Sequence, residues 1–339
     1  MATIGGSLKT MLDWAKEVDP DGNTAQIIEI LDQSNEVLNE MLWKEGNLPT
    51  GEQTSIRTGL PSATWRMLNV GTPNSKATSA QVTEQVGILT ARSQIDKDEA
   101  MLNGNTNSYR FNENIAHMEG MSQEMASTLF YGSAASPEEF VGFSNRYNDL
   151  DATNGQNILD AGGAGSDNSS IWFVGWGPRS VFGVFPKGSS AGLQHEDLGL
   201  GDAFDASNNR FRAYMDDYSW KAGLVVKDWR FAVRIANIDI SDLVGQTGTQ
   251  AATASTAIIK LMSRAIDRLP TLSGVNTSFY ANRTVISNLR IAALDKSNSA
   301  VTIEPGLDQF GKTIHTTTFL GHPVRVTDAL TESEAEVTT

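Results

Sequence analysis

The chain has 339 residues, no cysteine, and 26 basic against 40 acidic residues, for a net charge of −14. The absence of cysteine excludes disulfides, thiol catalysis and Cys-ligated zinc, and the acidic balance argues against a nucleic-acid reader, whose phosphate contacts need a basic surface. Hydrophobic residues make up 40%, enough for a packed core, and the length suits two domains or one with a large insertion.

The opening MATIGGSLKTMLDW lacks a basic start followed by a long apolar run, so no signal peptide is read there. No apolar run approaches about 18 residues, so no membrane span is expected. A soluble protein made in the cytoplasm is the reading. Residues 1–45 read as helical. Thr3–Lys16 sets Leu8, Met11, Leu12 and Ala15 on one side, and Asp19-Pro20-Asp21-Gly22 is a turn. Thr24–Lys44 is a second helix with Ile27, Leu31, Leu38 and Leu42 on one face and Ile30, Val37 and Met41 beside them. This stretch carries 3 basic against 9 acidic residues, a charge of −6, which suits a solvated face or a partner surface.

From Gly46 to Ala80 the chain becomes rich in Thr, Ser, Gly and Pro. Arg57, Arg66 and Lys76 stand against Glu52 alone, a local charge of +2. Thr54–Thr58 and Ala63–Val70 read as strand, Gly71–Ser75 as a tip, and Gln81–Ile95 as the return strand. A hairpin so poor in apolar residues does not stand alone in water. It must pack on its own domain or reach a neighbouring subunit. Asp96–Leu102 leads into a helix over 105–131. Its apolar residues Phe111, Ile115, Met118, Met125 and Leu129, with Ser122 in the remaining slot, recur every three or four positions. Asn105, Thr106 and Asn107 can cap it, and Gly132 suits its C-terminus. At about 1.5 Å per residue it is roughly 40 Å long, a spine on which other pieces are laid.

Beyond the spine, Ser136–Gly142 is a loop that Phe143–Tyr147 continues, and Asp149–Ser170 reads as a mobile loop. Ile171–Trp176 and Ser180–Pro186 are two short strands, and Leu198–Asn209 a polar connection. Arg210–Asp216 and Ser219–Ile240 carry the strongest strand signal. There Trp229, Phe231, Val233 and Ile235 point one way and Arg230 and Arg234 the other. Gly245–Ala254 is a linker. Ser255–Leu269 is a helix with Ile258, Ile259, Met262, Ile266 and Leu269 inward. Thr277–Ala281 is a strand, Asn282 caps a helix over Arg283–Leu294, and Thr313–Phe319 and Pro323–Thr327 are strands. Asp328–Thr339, with four acids and no base, is expected to fray. No repeat of 20–50 residues is present.

Catalytic patterns are weak. Gly162-Gly163-Ala164-Gly165 lacks the strand and helix that a phosphate loop needs. Gly188-Ser189-Ser190-Ala191-Gly192 matches the GxSxG elbow, with His195 and Asp197 nearby, which invites a serine hydrolase reading on Ser190. The residues after Ser190 make a poor helix, and the histidine lies too close in sequence. His117, His195, His315 and His322 form no ligand spacing. His117 reads as a packing residue. Asp216-Asp217 and His195-Glu196-Asp197 read as solvated acids rather than a cation site. No cofactor is implied, and neither a catalytic nor a metal residue is assigned. An assembly subunit and an enzyme of unrecognised type both stay open on pattern alone.

Six segments carry a resemblance. They are WKEGNLPTGEQTSIRTGLPSATWRMLN (43–69), QVTEQVGILTARSQIDKD (81–98), SQEMASTLFYG (122–132), SPEEFVGF (136–143), WKAGLVVKDWRFAVRIANID (220–239) and FLGHPVRVTDAL (319–330). In their order the chain resembles the major capsid proteins of tailed double-stranded DNA bacteriophages, the Hong Kong 97-type or Johnson fold. The resemblance spans nearly the whole chain. It implies an α+β fold with an N-terminal arm (1–45), an extended β-hairpin E-loop (46–96), a P-domain (97–149) with spine helix 105–131, and P-domain strands (206–245). It further implies a main A-domain portion (246–326) and a C-terminal tail (327–339). The composition of 150–205, not the resemblance, marks a loop-rich insertion where a decoration protein could sit.

The implied function is a structural, non-enzymatic subunit that self-assembles into pentamers and hexamers of an icosahedral shell around double-stranded DNA. The implied partners are other copies of itself, a scaffolding protein and a portal protein at one vertex. DNA would be enclosed without sequence-specific binding, and no membrane is involved. The implied place is the virion, with assembly in the host bacterial cytoplasm. Arg57, Arg66 and Lys76 are the expected polar contacts of the E-loop, and Trp65, Met67 and Leu68 its apolar anchor. No crosslink is expected at Lys76. An encapsulin-like nanocompartment shell is the alternative within the same fold.

Overall fold

The computed structural model describes residues 33–102, 106–205, 207–244, 249–294, 301–307 and 313–338. The helices expected before Gln33 and the cap at Asn105 lie outside them, as does 245–248 of the linker expected over Gly245–Ala254; the rest of that stretch, 249–254, is not a linker but the first turns of the helix Thr249–Arg268. Two compact units are present. The first holds Gln33, Ile88–Met125 and Gly192–Lys221; the second holds Ser34–Gly87, Ala126–Ala191 and the chain from Ala222 onward. Both the spine helix and the strand Arg210–Val226 contribute residues to each unit.

In the first unit, Asp96 starts the helix Lys97–Met101 by accepting the Asp98 N–H at 2.8 Å. The spine follows as Thr106–Tyr131. Ile95, Ala100 and Tyr109 form a small core with Tyr214 packed on it. The strand Leu193–Phe204 pairs antiparallel with Arg210–Val226 from Leu193↔Trp220 to Phe204↔Arg210, with a bulge at Asp197/Gly199. The polar connection expected over 198–209 is therefore mostly strand. The inward face of the spine also departs from the expected stripe. Met125 and Leu129 are buried, but Phe111 and Ile115 are exposed, while Tyr109, Asn114 and Met121 face inward. Asn114 is drawn in by a carboxylate, Asp216, which apolar spacing does not register.

In the second unit the central strand is Asn168–Trp176, buried along its whole length. Asn276–Ala281 and Ala232–Asp239 flank it, both antiparallel. Ile158–Asp160 joins the far side of Ala232–Asp239 in parallel. Beyond Asn276–Ala281 come His322–Val326, Thr313–Phe319 and Val301–Leu307. Helices Thr249–Arg268 and Arg283–Leu294 pack against this sheet. Ile258, Ile259, Met262 and Leu269 are buried, as expected, together with Ala265. Asn282 caps its helix by accepting the Thr284 N–H at 2.9 Å. Aromatic rings fill the core: Phe143 and Tyr147 lie 5.4 and 5.7 Å from Trp172, and Phe173 stacks on Phe279 at 4.2 Å.

Four expectations are corrected here. The mobile loop over 149–170 contains a 3-10 turn, a strand and the start of the central strand. Asn168, Ser169 and Ser170 are buried, so polar composition did not mean solvent. Phe143–Arg146 is a short helix rather than a continuing loop. The alternation proposed for 229–235 fails, because Trp229–Phe231 is a 3-10 turn and the strand Ala232–Asp239 is buried on both faces. Finally, the tail does not fray. Glu334 is buried and receives Arg234 Nη2 at 2.8 Å and the Tyr131 hydroxyl at 2.6 Å, and Ser170 Oγ donates to it as well. Val337 exchanges bonds with the Asn237 side chain at 2.8 and 3.0 Å. Asn237 sits at a bulge with φ 58°, a conformation asparagine tolerates better than most residues.

The arm's last described part is also shorter in helix than expected. Val37–Glu40 makes one turn, and Trp43–Glu45 turns into a strand parallel to Val181–Phe185. Gly183 makes this possible, since a Cβ there would stand 2.7 Å from the Trp43 ring.

Candidate functional site

The hairpin at 51–85 is the feature that a single chain leaves incomplete. Gly51–Gly59 pairs antiparallel with Thr78–Gln85, from Gly51↔Gln85 to Gly59↔Thr78, in a two-stranded sheet of its own. The expected strand over Ala63–Val70 is absent, and the tip widens to 60–77. The return strand is split in two, Thr78–Gln85 and Gly87–Asp96. A strand needs a partner for its backbone groups, and this wide tip offers none.

The root is firmly held. Glu52 and Glu84 are directly opposite in the register, where two like charges repel. Each carboxylate turns to its own cation. Glu84 takes a bidentate pair from Arg146 at 2.7 and 2.7 Å. Glu52 is buried and takes Lys227 Nζ at 2.8 Å and the Asn47 N–H at 2.9 Å. Burial pushes the Glu52 carboxyl up, but the bonds from Lys227 and Asn47 outweigh it and hold the group below its usual value. Gly51 completes the root: a Cβ there would lie 1.9 Å from the Glu84 carbonyl oxygen. Val86 packs on Phe182, Val184 and Val225.

The tip is the opposite. All six expected contact residues, Arg57, Trp65, Arg66, Met67, Leu68 and Lys76, are exposed. Trp65 is 105% accessible, Leu68 88% and Met67 76%. Leu60 and Val70, which sequence reasoning did not single out, join them. Residues 53–83 hold three basic groups and no acid. Among the described residues none of the three meets a carboxylate. Internal support is slight, with Ser75 Oγ donating to the Ser62 carbonyl at 2.9 Å. The root residues Glu84, Arg146 and Lys227 were also missed. Only the pairing register reveals them.

The sites that invited catalysis resolve differently. Ser190 is exposed in a loop, and Leu193–Phe204 after it is a strand, so the helix of a nucleophile elbow is missing. His195 turns its Nε2 to Asp216 at 2.9 Å and stacks on Tyr218. Asp216 also receives Arg110 Nη2 at 2.9 Å and Asn114 Nδ2 at 3.2 Å. Burial raises Asp216, and the three hydrogen bonds bring it net below the usual carboxylate range. Asp216 is thus a structural acid joining the spine to the strand pair. Gly162–Gly165 precedes a strand, with the Gly163 N–H given to the Asn237 carbonyl. Among the described residues no group of three or more His, Asp or Glu could hold a metal ion. No described helix is long and apolar enough to cross a membrane.

A long spine, a mixed sheet unit and a hairpin whose tip is exposed are the elements of a shell-forming protein. The chain belongs to the family Major capsid protein GP7, whose model matches residues 19–338. It is 29% identical to a chain of bacteriophage Epsilon15 solved by cryo-EM, covering 100% of both chains at a TM-score of 0.76. More distant likenesses include the bacteriophage JBD30 capsid, at 8% identity, 96% and 99% coverage and a TM-score of 0.47. Another is the holo-SrpI encapsulin complex of Synechococcus elongatus PCC 7942, at 10% identity, 72% and 99% coverage and a TM-score of 0.42. No curated protein matches the sequence. The protein is therefore a structural subunit of a phage capsid, which assembles with copies of itself and resides in the virion.

Proposed function

We propose that each subunit drapes its hairpin over a neighbouring copy, and that this contact builds pentamers and hexamers of an icosahedral shell around double-stranded DNA. The observation that carries the reading is the tip: three cations that meet no carboxylate among the described residues, and five exposed apolar side chains, on a hairpin with a firmly held root. Ordering such a limb costs entropy that its own contacts do not offset, so a neighbour must supply them. An acidic receiver is available. The ranges 88–125 and 192–221 together hold 6 basic and 12 acidic residues, a complement to the basic limb. In domain terms, we read 46–96 as the E-loop, the first compact unit as the P-domain, and the A-domain within the second.

The remaining parts of the proposal follow from the same role. A separate scaffolding protein guides assembly in the host cytoplasm, a portal protein occupies one vertex, and the region 150–205, which ends in the largely exposed strand Leu193–Phe204, is where a decoration protein would sit. The protein performs no catalysis. Its net negative charge lets packaged DNA slide past the wall rather than adhere. The test is co-expression with a scaffold, followed by negative-stain microscopy and sedimentation. Shells or capsomers are expected from the full chain, and a chain with 60–77 replaced by a short Gly-Ser turn should remain dispersed. Shells of unchanged yield from that variant would refute the draped hairpin.

A further inference from the structure

The helix Thr249–Arg268 buries one side and bares the other. Ile258, Ile259, Met262 and Ala265 make its buried side. On the other side Lys260, Arg264 and Arg268 recur every four residues, and all three are exposed. Steps of four set side chains on one ridge, here about 12 Å long at about 1.5 Å per residue. Asp267 is exposed beside them, yet among the described residues none of the three cations meets a carboxylate. Five exposed arginines elsewhere do hold one. Arg92 pairs with Asp217, Arg210 and Arg212 with Asp202, Arg230 with Asp228 and Arg283 with Asp328. In a chain with 40 acids against 26 bases, an unpaired line of cations is the exception. Arg268 has a local reason to be there, since a base in the last turn suits the negative end of a helix. Lys260 and Arg264 lie too far from that end to share it.

We propose that this ridge faces the lumen of the shell and touches the phosphate backbone of the enclosed duplex. The inference rests on the reading that the shell holds double-stranded DNA. The chemistry of the face selects a polyanion over a protein. A protein partner needs an apolar anchor at the centre of its contact, and no large apolar side chain between Ile258 and Leu269 is exposed. A phosphate backbone needs only donors. Two of the three cations are arginines, whose planar fork takes two phosphate oxygens at once. Duplex DNA carries about one charge per 1.7 Å of axis, so a ridge of about 12 Å faces about seven of them in any register. No base is read, and the ridge finds a partner wherever the strand lies. The contact is also weak. At most three phosphates are neutralised, which corresponds to a slope of only about −2.7 in log affinity against log salt. The wall as a whole stays acidic, so DNA still moves past it while each subunit steadies the outermost layer along one short line.

The test compares DNA-filled particles, DNA-free particles and dissociated subunits of the full chain. Each is treated with a small amine-acylating reagent, and labelling at Lys260 is followed by mass spectrometry. Labelling about fivefold slower in filled particles than in DNA-free ones is expected, the scale of effect that an exposed ion pair exerts. In Arg264→Gln with Arg268→Gln, that protection should fall below about twofold, because the phosphate is no longer held against Lys260. Protection that survives the double substitution means crowding by the packaged DNA alone, and overturns the proposal. Equal labelling in filled and DNA-free particles overturns it too. If Lys260 is slow in both kinds of particle and fast only in dissociated subunits, the ridge lies between copies of the chain and the proposal falls. Particles that never contain DNA, seen from their ultraviolet absorbance, would overturn both this proposal and the reading beneath it, which separates that failure from the others.

Discussion

Replacing Trp65 by Ala isolates assembly from folding. The side chain is fully exposed in the subunit, so its loss removes nothing from the monomer's core. Buried on a neighbour, an indole covers about 150–250 Å². At about 25 cal/mol per Å² that corresponds to about 4–6 kcal/mol of apolar transfer. Association returns only part of such a gain, because the limb and the two bodies lose freedom, so about 2–4 kcal/mol per contact is the expected cost. This is about 30- to 1,000-fold in pairwise affinity. The assay is the lowest subunit concentration at which shells form, followed by light scattering and sedimentation, with thermal unfolding of dissociated subunits as control. Trp65→Ala should raise that concentration steeply and leave the unfolding curve in place. Trp65→Phe should recover most of the loss. Assembly at the wild-type concentration, or a lowered melting temperature of the isolated subunit, would refute the reasoning.

Other parts of the molecule give further expectations. Gly51→Ala forces a Cβ against the Glu84 carbonyl oxygen, and should open the hairpin root to protease while leaving the aromatic core intact by near-UV circular dichroism. Glu52 has a depressed carboxyl pKa against an ordinary value of 4.5. A depressed acid stabilises above its unfolded pKa and loses that contribution as pH falls through the folded one. Proteolysis of the hairpin should therefore quicken below about pH 4.5, and Glu52→Gln should flatten that dependence. Glu334→Ala strands Arg234 in a buried site, which should cost about 3–5 kcal/mol. Denaturant unfolding of the subunit reads this, and a loss under about 1 kcal/mol would mean the tail is not docked.

What the sequence revealed depended on how local the cause was. The spine, the helix capped by Asn282 and the strands at 276–281 and 313–326 all follow from neighbours within a few positions, and were legible. The tail was not. Glu334 is held by Arg234, 100 residues away, and nothing in a run of acids announces a distant cation. The segment 149–170 misled for a related reason. Asn and Ser there read as solvent-loving, yet Asn157 Nδ2 donates to the Ala232 carbonyl at 3.0 Å, and Ser170 Oγ receives Arg234 Nε at 3.0 Å. Buried polar groups with partners look like loop residues until the partners are known. At Ala63–Val70 the apolar residues were real, but a strand signal without a pairing strand describes a surface waiting for one.

On the proposed docking of the hairpin, a held root lets a weak contact build a strong shell. Were the whole hairpin loose, each docking event would have to order it from base to end, at about 1–2 kcal/mol of backbone entropy per residue. The root removes much of that cost in advance. Glu52 and Glu84 face each other across the register, and each is paired with a separate cation, Lys227 and Arg146, so the base is fixed to the body of its own unit. On that docking, 60–77, which pairs with no strand, is the part a neighbour would fix. The single tip contact can then stay weak enough to form reversibly, which lets misplaced subunits leave, while its repetition around a closed surface makes the finished shell hard to dismantle. Loosening the root should therefore slow assembly without weakening the tip's own affinity. Arg146→Met, which frees Glu84 beside Glu52, is expected to reduce the rate of shell formation and leave the dissociation of completed shells nearly unchanged. Equal effects on both rates would mean that the root acts only after docking.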